Sequence, residues 1–527
     1  MTSLIRTWIG FLAMCIGMFM AILDVQVVAS SLTAMQSALG IPSDRLSWIQ
    51  TGYLIAEVIA IPLTGWLTRA LSLRWMFVAA TVGFTIASAG CALCSTLGPF
   101  VAIRAFQGFC GGMLIPAVFT SAFTLLREKD RVLGTVVAGM FAMIAPTVGP
   151  AVGGYLTVMY SWHWIFLVNL VPGIVVSFVV AFCVRGDTPN WSDLKRIDHM
   201  TIVLAALFLG SLEVLLKEAP KRDWHGELVF VLFAVCAFSA VVGVYRCIRS
   251  PHPFVDLRRF RDLPFSLGCA LSFVFGVGIY GSVYMMAVFL GAVRQYSALE
   301  IGEIMMVCGG AQILTAPLAA LLETRVNPRL LTAVGFGLFG IGLLANGFAT
   351  SASDFNDLFW PQVLRGASVM LCLLPATRLA LDGLPATEVA EASGLFNLMR
   401  TLGGAIGIAL IDTVLEQRTV GHVSALLARL QAGDPDAARL VGLPVAMFHN
   451  VPIGPIDDMT KAIVEPLVTR AALTESFNEA WQILAVVFVL SLLALPLMRR
   501  VRLADSSMGP GLGLPSPKPR ITTLISS

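Results

Sequence analysis

The sequence predicts an all-α membrane protein with fourteen transmembrane helices, and three observations carry that prediction. Of the 527 residues, 57% are hydrophobic and only 13% charged, with a mean hydropathy of +0.83. A soluble domain carries roughly 25% charged residues, so this chain needs lipid around it. Its apolar segments are long and continuous, each near the roughly 20 residues that a crossing helix requires. Barrel strands would instead read as alternating pieces of about 10 residues. Finally, the basic residues fall mostly at alternate segment ends.

The spans read, in order, as 8–32, 46–67, 75–95, 98–125, 132–158, 163–184, 199–217, 227–247, 264–292, 298–322, 329–348, 358–381, 390–415 and 479–500. The first is too long for the apolar core of a signal peptide, and no A-x-A site follows it. With the N-terminus in the cytoplasm, Arg69, Arg74, Arg127, Lys129, Arg131, Arg185, Lys195, Arg196, Arg325 and Arg329 fall on the inner side, as does a cluster from Arg246 to Arg261. The short outer loops hold Arg45, Lys217, Lys221, Arg222 and Arg294. The bias places both termini in the cytoplasm.

"PLTGWLTRALSLRW" at Pro62 and "PLAALLETRVNPRL" at Pro317 share Pro-Leu, a later leucine, and an arginine at the same offset (Arg74 and Arg329). Each stretch ends the second helix of a half. The chain therefore divides into 1–197, a six-helix half; 198–262, two inserted helices and an inner loop; 263–500, a second six-helix half; and 501–527, a flexible cytoplasmic tail. Paired halves around a central cavity are a transporter plan, with the substrate near the midplane. Residues 416–478 form one long outer loop, in which "VSALLARL" at Val423 and "KAIVEPLVTRAAL" at Lys461 have the spacing of short amphipathic helices.

Few ionisable residues lie within the spans: Asp24, Glu57, Arg104, Glu213, Arg365, Arg400 and Asp412. A charge in hydrocarbon costs about 3 kcal/mol by insertion scales, so such residues face a cavity or a partner. By helix rise, Asp24, Glu57 and Arg104 reach similar depths and are expected to share one cavity, with Arg104 balancing two acids. The competing reading is an ion network that only fixes packing. Glu213 is explained by a pair with Lys217 one turn on, and Asp412 by hydration at a helix end. Arg400, in "NLMRTLGGAIG", either binds an anionic group or braces its helix.

Net charge is +3, too small to suggest nucleic acid as a partner. The 10 cysteines all fall in apolar segments, without metal-ligand spacing. No Gly-rich phosphate loop with Lys-Ser/Thr, no HExxH and no nucleophile–His–acid arrangement is present. No cofactor is expected, and the chain does not read as an enzyme.

Several motifs carry a family resemblance. "GMFAMIAPTVGPAVGGYL" resembles the antiporter signature of the major facilitator superfamily, with Gly139, Pro146, Gly149, Pro150, Gly153 and Gly154 in its frame. "IRAFQGFCGG" is similar to the superfamily's span-4 motif, through Arg104, Gln107 and Gly108. "ILDVQVVASSL", "WHWIFLVNLVPG", "RIDHMTIV", "PFVDLRRFRD" and "GLFNLMRTLGGAIG" resemble the EmrB/QacA-type branch of fourteen-helix drug:proton antiporters. Where the superfamily loop after span 2 has an acid and a glycine, this chain has Arg69 and Ser72. Gln26 and Glu57 also depart from the commoner pattern and mark a substrate preference.

The resemblance implies a proton-coupled exporter of drugs or small amphiphiles in the inner membrane. A periplasmic adaptor and an outer-membrane channel are the implied partners, with the long loop as a docking element. Asp24, Glu57 and Arg104 are expected to couple protons. Asp24, Gln26, Glu57, Gln107, Asn397 and Arg400 are expected to line the substrate cavity. A dedicated metabolite or siderophore exporter on the same fold is the alternative. A sensor without transport is a second, and a channel is disfavoured because no ring of like charges is present.

Overall fold

The computed structural model describes residues 3–40, 48–184, 199–250, 255–382, 384–445, 448 and 458–496. The first half contains α1 (Ser3–Ser30), a short α2 (Leu32–Leu39), α3 (Trp48–Leu71), α4 (Leu73–Leu93), α5 (Leu97–Thr124) and α6 (Arg131–Met159). Its sixth span is made by α7 (Trp164–Leu167) and α8 (Leu170–Cys183) together. The inserted pair is α9 (His199–Glu218) and α10 (Glu227–Arg249). The second half contains α11 (Leu263–Ala292), α12 (Ala298–Arg325), α13 (Pro328–Asn346), α14 (Phe355–Leu381), α15 (Ala386–Gln431), α16 (Pro435–Val441) and α17 (Asp458–Ser491).

Among the described residues thirteen helical segments are long and apolar enough to cross a membrane, and α6 makes a fourteenth if its two arms, bent by 49° between Pro146 and Ala151, are taken as one span. Proline lacks the N–H that would continue the ladder, so Pro146 and Pro150 account for a bend there. The expected boundary at 197, Arg45, Arg185, Lys195, Arg196, the tail 501–527 and the side chain of Pro150 lie outside the described residues.

Within lipid no hydrophobic force draws helices together, so close packing and polar contacts must do so. In the first half α5 is the hub, packed on α3, α4 and α1; in the second, α14 packs on α13, α12 and α11. Both hubs depend on a glycine. A Cβ on Gly108 would meet the Tyr53 carbonyl oxygen of α3 at 2.2 Å, and one on Gly366 would meet that of Cys308 in α12 at 2.1 Å. Only a residue without a side chain permits either approach.

The halves meet along α6–α12, α3–α15 and α5–α15. Of the inserted pair, α9 packs on α3 and touches α15, while α10 turns Phe230, Phe233 and Phe238 outward. An apolar outer face of that kind suits lipid.

One element departs from expectation. The stretch 416–478 is not a loop carrying separate short helices. "VSALLARL" lies inside α15, which runs on to Gln431, and "KAIVEPLVTRAAL" lies inside α17, which begins at Asp458. The helix that contains the last span accordingly starts earlier than residue 479. The two extensions form a helical hairpin with α16 at its tip, where Leu426, Leu430, Ala437, Val468 and Ala472 build a small core of their own. Asp434 caps α16 by accepting from the N–H groups of Asp436 and Ala437, and the Arg429 guanidinium beside it holds its carboxyl below the usual range. Apolar pairing of the two helices with each other and with α16 explains why the helices continue where hydropathy falls.

Candidate functional site: a sealed acid–arginine cage beside a cavity

Asp24 lies on α1 with its side chain fully buried, and its counter-charge is Arg104 of α5, 2.5 Å away and equally buried. The second carboxylate oxygen accepts from Asn169 Nδ2 at 2.8 Å and from Gln107 Nε2 at 3.2 Å. Gln107 also bonds Ser88 Oγ of α4 at 2.7 Å and accepts from Arg104 Nη1 at 2.7 Å. The guanidinium stacks over the Tyr53 ring of α3 at 4.4 Å. Three spans thus meet on one carboxylate, and α3 and α4 complete the cage around its partners. A buried pair is tolerable only when its remaining valences are mostly satisfied, and these bonds satisfy the carboxylate, while Arg104 Nη2 is left without a hydrogen-bond partner among the described residues.

Spacing explains the geometry. Arg104 and Gln107 are one turn apart, so they share a face of α5. Asn169 stands at the break between α7 and α8, where the backbone still turns but the register shifts. Sequence reasoning did not assign Asn169 or Ser88. The signal was available for Asn169, an amide alone in an apolar span.

Glu57 is buried on α3 and bears electrostatically on the pair, although among the described residues it makes no direct ion pair with Arg104. Nor do Asp24, Arg104 and Gln107 line an open cavity; they form a closed cage. Gln26, two residues beyond Asp24, does face the large cavity, which lies between the halves and has a volume of about 640 Å³. Asn397 and Arg400 are buried behind it: Arg400 donates to Asn397 Oδ1 at 2.7 Å, stacks over Phe119 of the first half at 5.3 Å, and lies beside Tyr280. Bracing between the halves is therefore the role its contacts describe.

The cavity wall holds residues that sequence reasoning set aside. Glu213 and Lys217 of α9 both line it, with Lys217 reaching Thr51 of α3. Asp412 of α15 lines it too, accepting from Tyr284 Oη of α11 at 2.6 Å. The helix-end and i,i+4 readings missed these because they depend on α9 lying against α3. The inserted helix is part of the cavity wall, which therefore carries both acids and lysines among apolar and aromatic side chains.

The antiporter-signature residues sit where α6 meets other helices. A Cβ on Gly149 would meet Gln26 Cβ of α1 at 2.3 Å, and one on Gly139 would meet Leu373 Cδ2 of α14 at 2.8 Å. The Gly153 carbonyl faces Ser31 Oγ at 3.5 Å, and Gly154 lies in the turn beyond the bend. Pro146 lines a small cavity against the second half.

At the end of the bundle that carries the α3–α4 turn, the halves are clasped together. Arg69 pairs with Glu391 at 2.8 Å, and Glu391 also accepts from the Asp256 backbone N–H. Arg259 pairs with Glu388 at 3.0 Å, and Ser393 Oγ donates to the Pro116 carbonyl at 2.9 Å. The large cavity lies toward the opposite end. Ser72, in the turn, has φ of +70°, a conformation that favours glycine, which is what the superfamily pattern carries there.

A fourteen-helix, two-half bundle closed at one end and hollowed between the halves is the architecture of a secondary transporter. The family model described as "Major Facilitator Superfamily" matches residues 14–408. The chain belongs to that superfamily and is a multi-pass membrane transporter, not an enzyme. It is 37% identical over 481 residues to the colistin resistance protein EmrB of Acinetobacter baumannii, covering 91% of this chain and 94% of that one. It is 26% identical to the multidrug export protein EmrB of Escherichia coli, over 91% and 93% of the two chains. These relatives place it in the EmrB-like branch. The human organic anion transporter MFSD10 shares the fold, with a TM-score of 0.56 at 12% identity over 92% of this chain and 99% of that one.

Proposed function

We propose that this protein is a proton-coupled efflux antiporter that exports drugs or small amphiphilic compounds across the inner membrane. The observation that carries the reading is the Asp24–Arg104 cage on the helix that also presents Gln26 to the cavity. Ionised, Asp24 ties α1 to α5, α4 and the sixth span. A proton on Asp24 cancels the carboxylate charge, weakens its hold on Arg104 and loosens α1. Because Gln26 is packed against Gly149, movement of α1 is transmitted to the bend of α6 and to the wall that substrate touches. The gradient supplies about 2.3 kcal/mol per charge per 100 mV.

Basic residues at the clasped end favour a cytoplasmic location for it and for both termini. The cavity then opens toward the periplasm, which is the state that takes up protons and releases cargo. The names of the EmrB relatives support drug export, and the mixed wall of acids, lysines, tyrosines and apolar side chains suits amphiphiles.

The hairpin extends α15 by 16 residues beyond position 415, or roughly 24 Å of helix rise. It would stand clear of the lipid on the periplasmic side, where an adaptor leading to an outer-membrane channel would dock. Replacing 416–478 by a Gly/Ser linker should leave substrate binding by purified protein intact and reduce export across the whole envelope. Undiminished whole-envelope export would remove the docking role. For the coupling itself, Asp24→Asn should fold and insert yet lose transport driven by an imposed pH gradient in vesicles. Near-normal flux would sink Asp24 as the coupling group.

A further inference from the structure

The two halves repeat one motif with its polar pair transposed. In α5 the order is Arg104-x-x-Gln107-Gly108; in α14 it is Gln362-x-x-Arg365-Gly366. The two glycines occupy the same structural position, each pressed on a backbone carbonyl of the second helix of its half. Each arginine–glutamine pair is internally bonded: Arg365 Nη1 donates to Gln362 Oε1 at 2.7 Å, as Arg104 does to Gln107. Each pair also reaches the first helix of its half. There the halves diverge. The first half presents the Asp24 carboxylate, whereas the second presents the Ser282 hydroxyl, 2.5 Å from Arg365 Nη2.

Arg365 is therefore a buried guanidinium with no described carboxylate paired to it. The titratable neighbour that bears on it is the Cys308 thiol, and its aromatic neighbours are Phe339 and Trp481, at 5.9 and 5.6 Å. Arg365 lines a small cavity with Gln362, Gln312, Cys308, Pro146 and Met305. That cavity has about 20 Å³ of room for a water-sized probe, enough for one small occupant. Arg365 Nε, Gln362 Nε2 and Gln312 Nε2 are buried donors without a hydrogen-bond partner, and all three residues are at most 1% exposed. The amide of Gln362 is fixed in orientation, because its oxygen already accepts from Arg365. The polar atoms that stand without a partner in this lining are thus all donors, and they stand beside a cation. A water could satisfy a donor, but it would leave the guanidinium charge uncompensated in a low-dielectric surrounding. Arg400, another fully buried arginine with no described acid paired to it, differs: it lies beside Tyr280, which opens on the large cavity.

We propose that the second half binds a halide-sized monovalent anion between Arg365, Gln362 and Gln312, in the role that the Asp24 carboxylate fills in the first half. Room of about 20 Å³ favours a single small ion over a carboxylate carried on a substrate. The anion would set the packing of α11, α12 and α14 against the bend of α6, since Pro146 forms part of its wall.

The test is the thermal unfolding midpoint of the purified full-length protein as sodium chloride or bromide replaces sodium gluconate at constant ionic strength. The midpoint should rise by roughly a few degrees over about a hundredfold increase in halide, because a ligand of the native state stabilises it by mass action. Sulfate should not reproduce the rise. Ser282→Asp, which supplies a fixed carboxylate beside Arg365, should flatten the halide response. An equal midpoint in chloride and gluconate would overturn the proposal, and so would an undiminished response in Ser282→Asp. Should that variant fail to fold, bromide crystals of the native protein decide: an anomalous peak within contact of Arg365 supports the site, and none there rejects it.

Discussion

Arg104 and Arg365 are both fully enclosed in the fourth helix of their half, and both are bonded to a glutamine one turn away, yet only Arg104 meets an acid. The frame is shared down to the glycine that lets each fourth helix touch the second. The charge arrangement is not. The first half holds a self-contained ion pair that a single proton can neutralise, whereas the second holds a cation with hydroxyl, amide and aromatic neighbours. Duplication thus preserved the packing and freed the polar positions to differ. On this view the first half carries the proton chemistry, and the second carries a fixed positive charge.

That comparison can be broken most forcefully at the two arginines. Arg104→Ala strands the Asp24 carboxylate in the bundle, which costs about 3–5 kcal/mol for a broken buried pair. It should lower the unfolding midpoint sharply and abolish transport. Arg365→Gln strands no acid, so its loss of stability should be clearly smaller in the same assay. Equal losses would mean that the two sites do not differ in charge balance.

The glycines test the shared frame. Gly108→Ala and Gly366→Ala each drive a methyl into a backbone carbonyl, and neither neighbour is a flexible side-chain tip. Overpacking of this kind costs about 1–3 kcal/mol. The two variants should be destabilised alike in denaturation assays, whatever their effect on transport. A harmless substitution at one site only would contradict the equivalence.

The smallest effects lie in the turns that follow the second helices. Ser72 and Asn327 both cap the next helix, but Ser72 does so at φ +70° and Asn327 at φ −60°. Ser72→Gly should raise stability by about 1 kcal/mol, since left-handed backbone is strained for serine and glycine costs little at a cap. Asn327→Gly should lower it by a few tenths of a kcal/mol, because only the cap is lost. Matched thermal melts compare the signs, and a loss from Ser72→Gly would show that its turn is not strained.

Much of this was legible before any coordinates. Hydropathy and length located the spans, because lipid imposes both on every crossing helix. The Pro62 and Pro317 stretches pointed to a repeat, and Gly108 and Gly366 occupy equivalent contacts in the structure. The burial cost of a lone charge singled out Asp24 and Arg104, and they do form a pair. Other features needed tertiary knowledge. The transposed Arg104/Gln107 and Gln362/Arg365 motifs escape a search for like residues at like positions. Glu213 and Lys217 satisfied a local explanation, so nothing in their spacing pointed to Thr51 or to the cavity. The hairpin of α15 and α17 lost its hydropathy signal at the point where apolar faces began to pair with each other instead of with lipid. The clasp of Arg69 on Glu391 joins residues more than three hundred positions apart, which no local pattern encodes.

The central claim is that the proton exchanged during transport belongs to the Asp24 cage of the first half. Proton release can be followed with a pH indicator as a transported substrate is added to weakly buffered, detergent-purified protein. The native protein and Ser282→Asp should both release protons on binding, and Asp24→Asn should bind substrate and release none. Release from Asp24→Asn equal to that of the native protein would contradict the account.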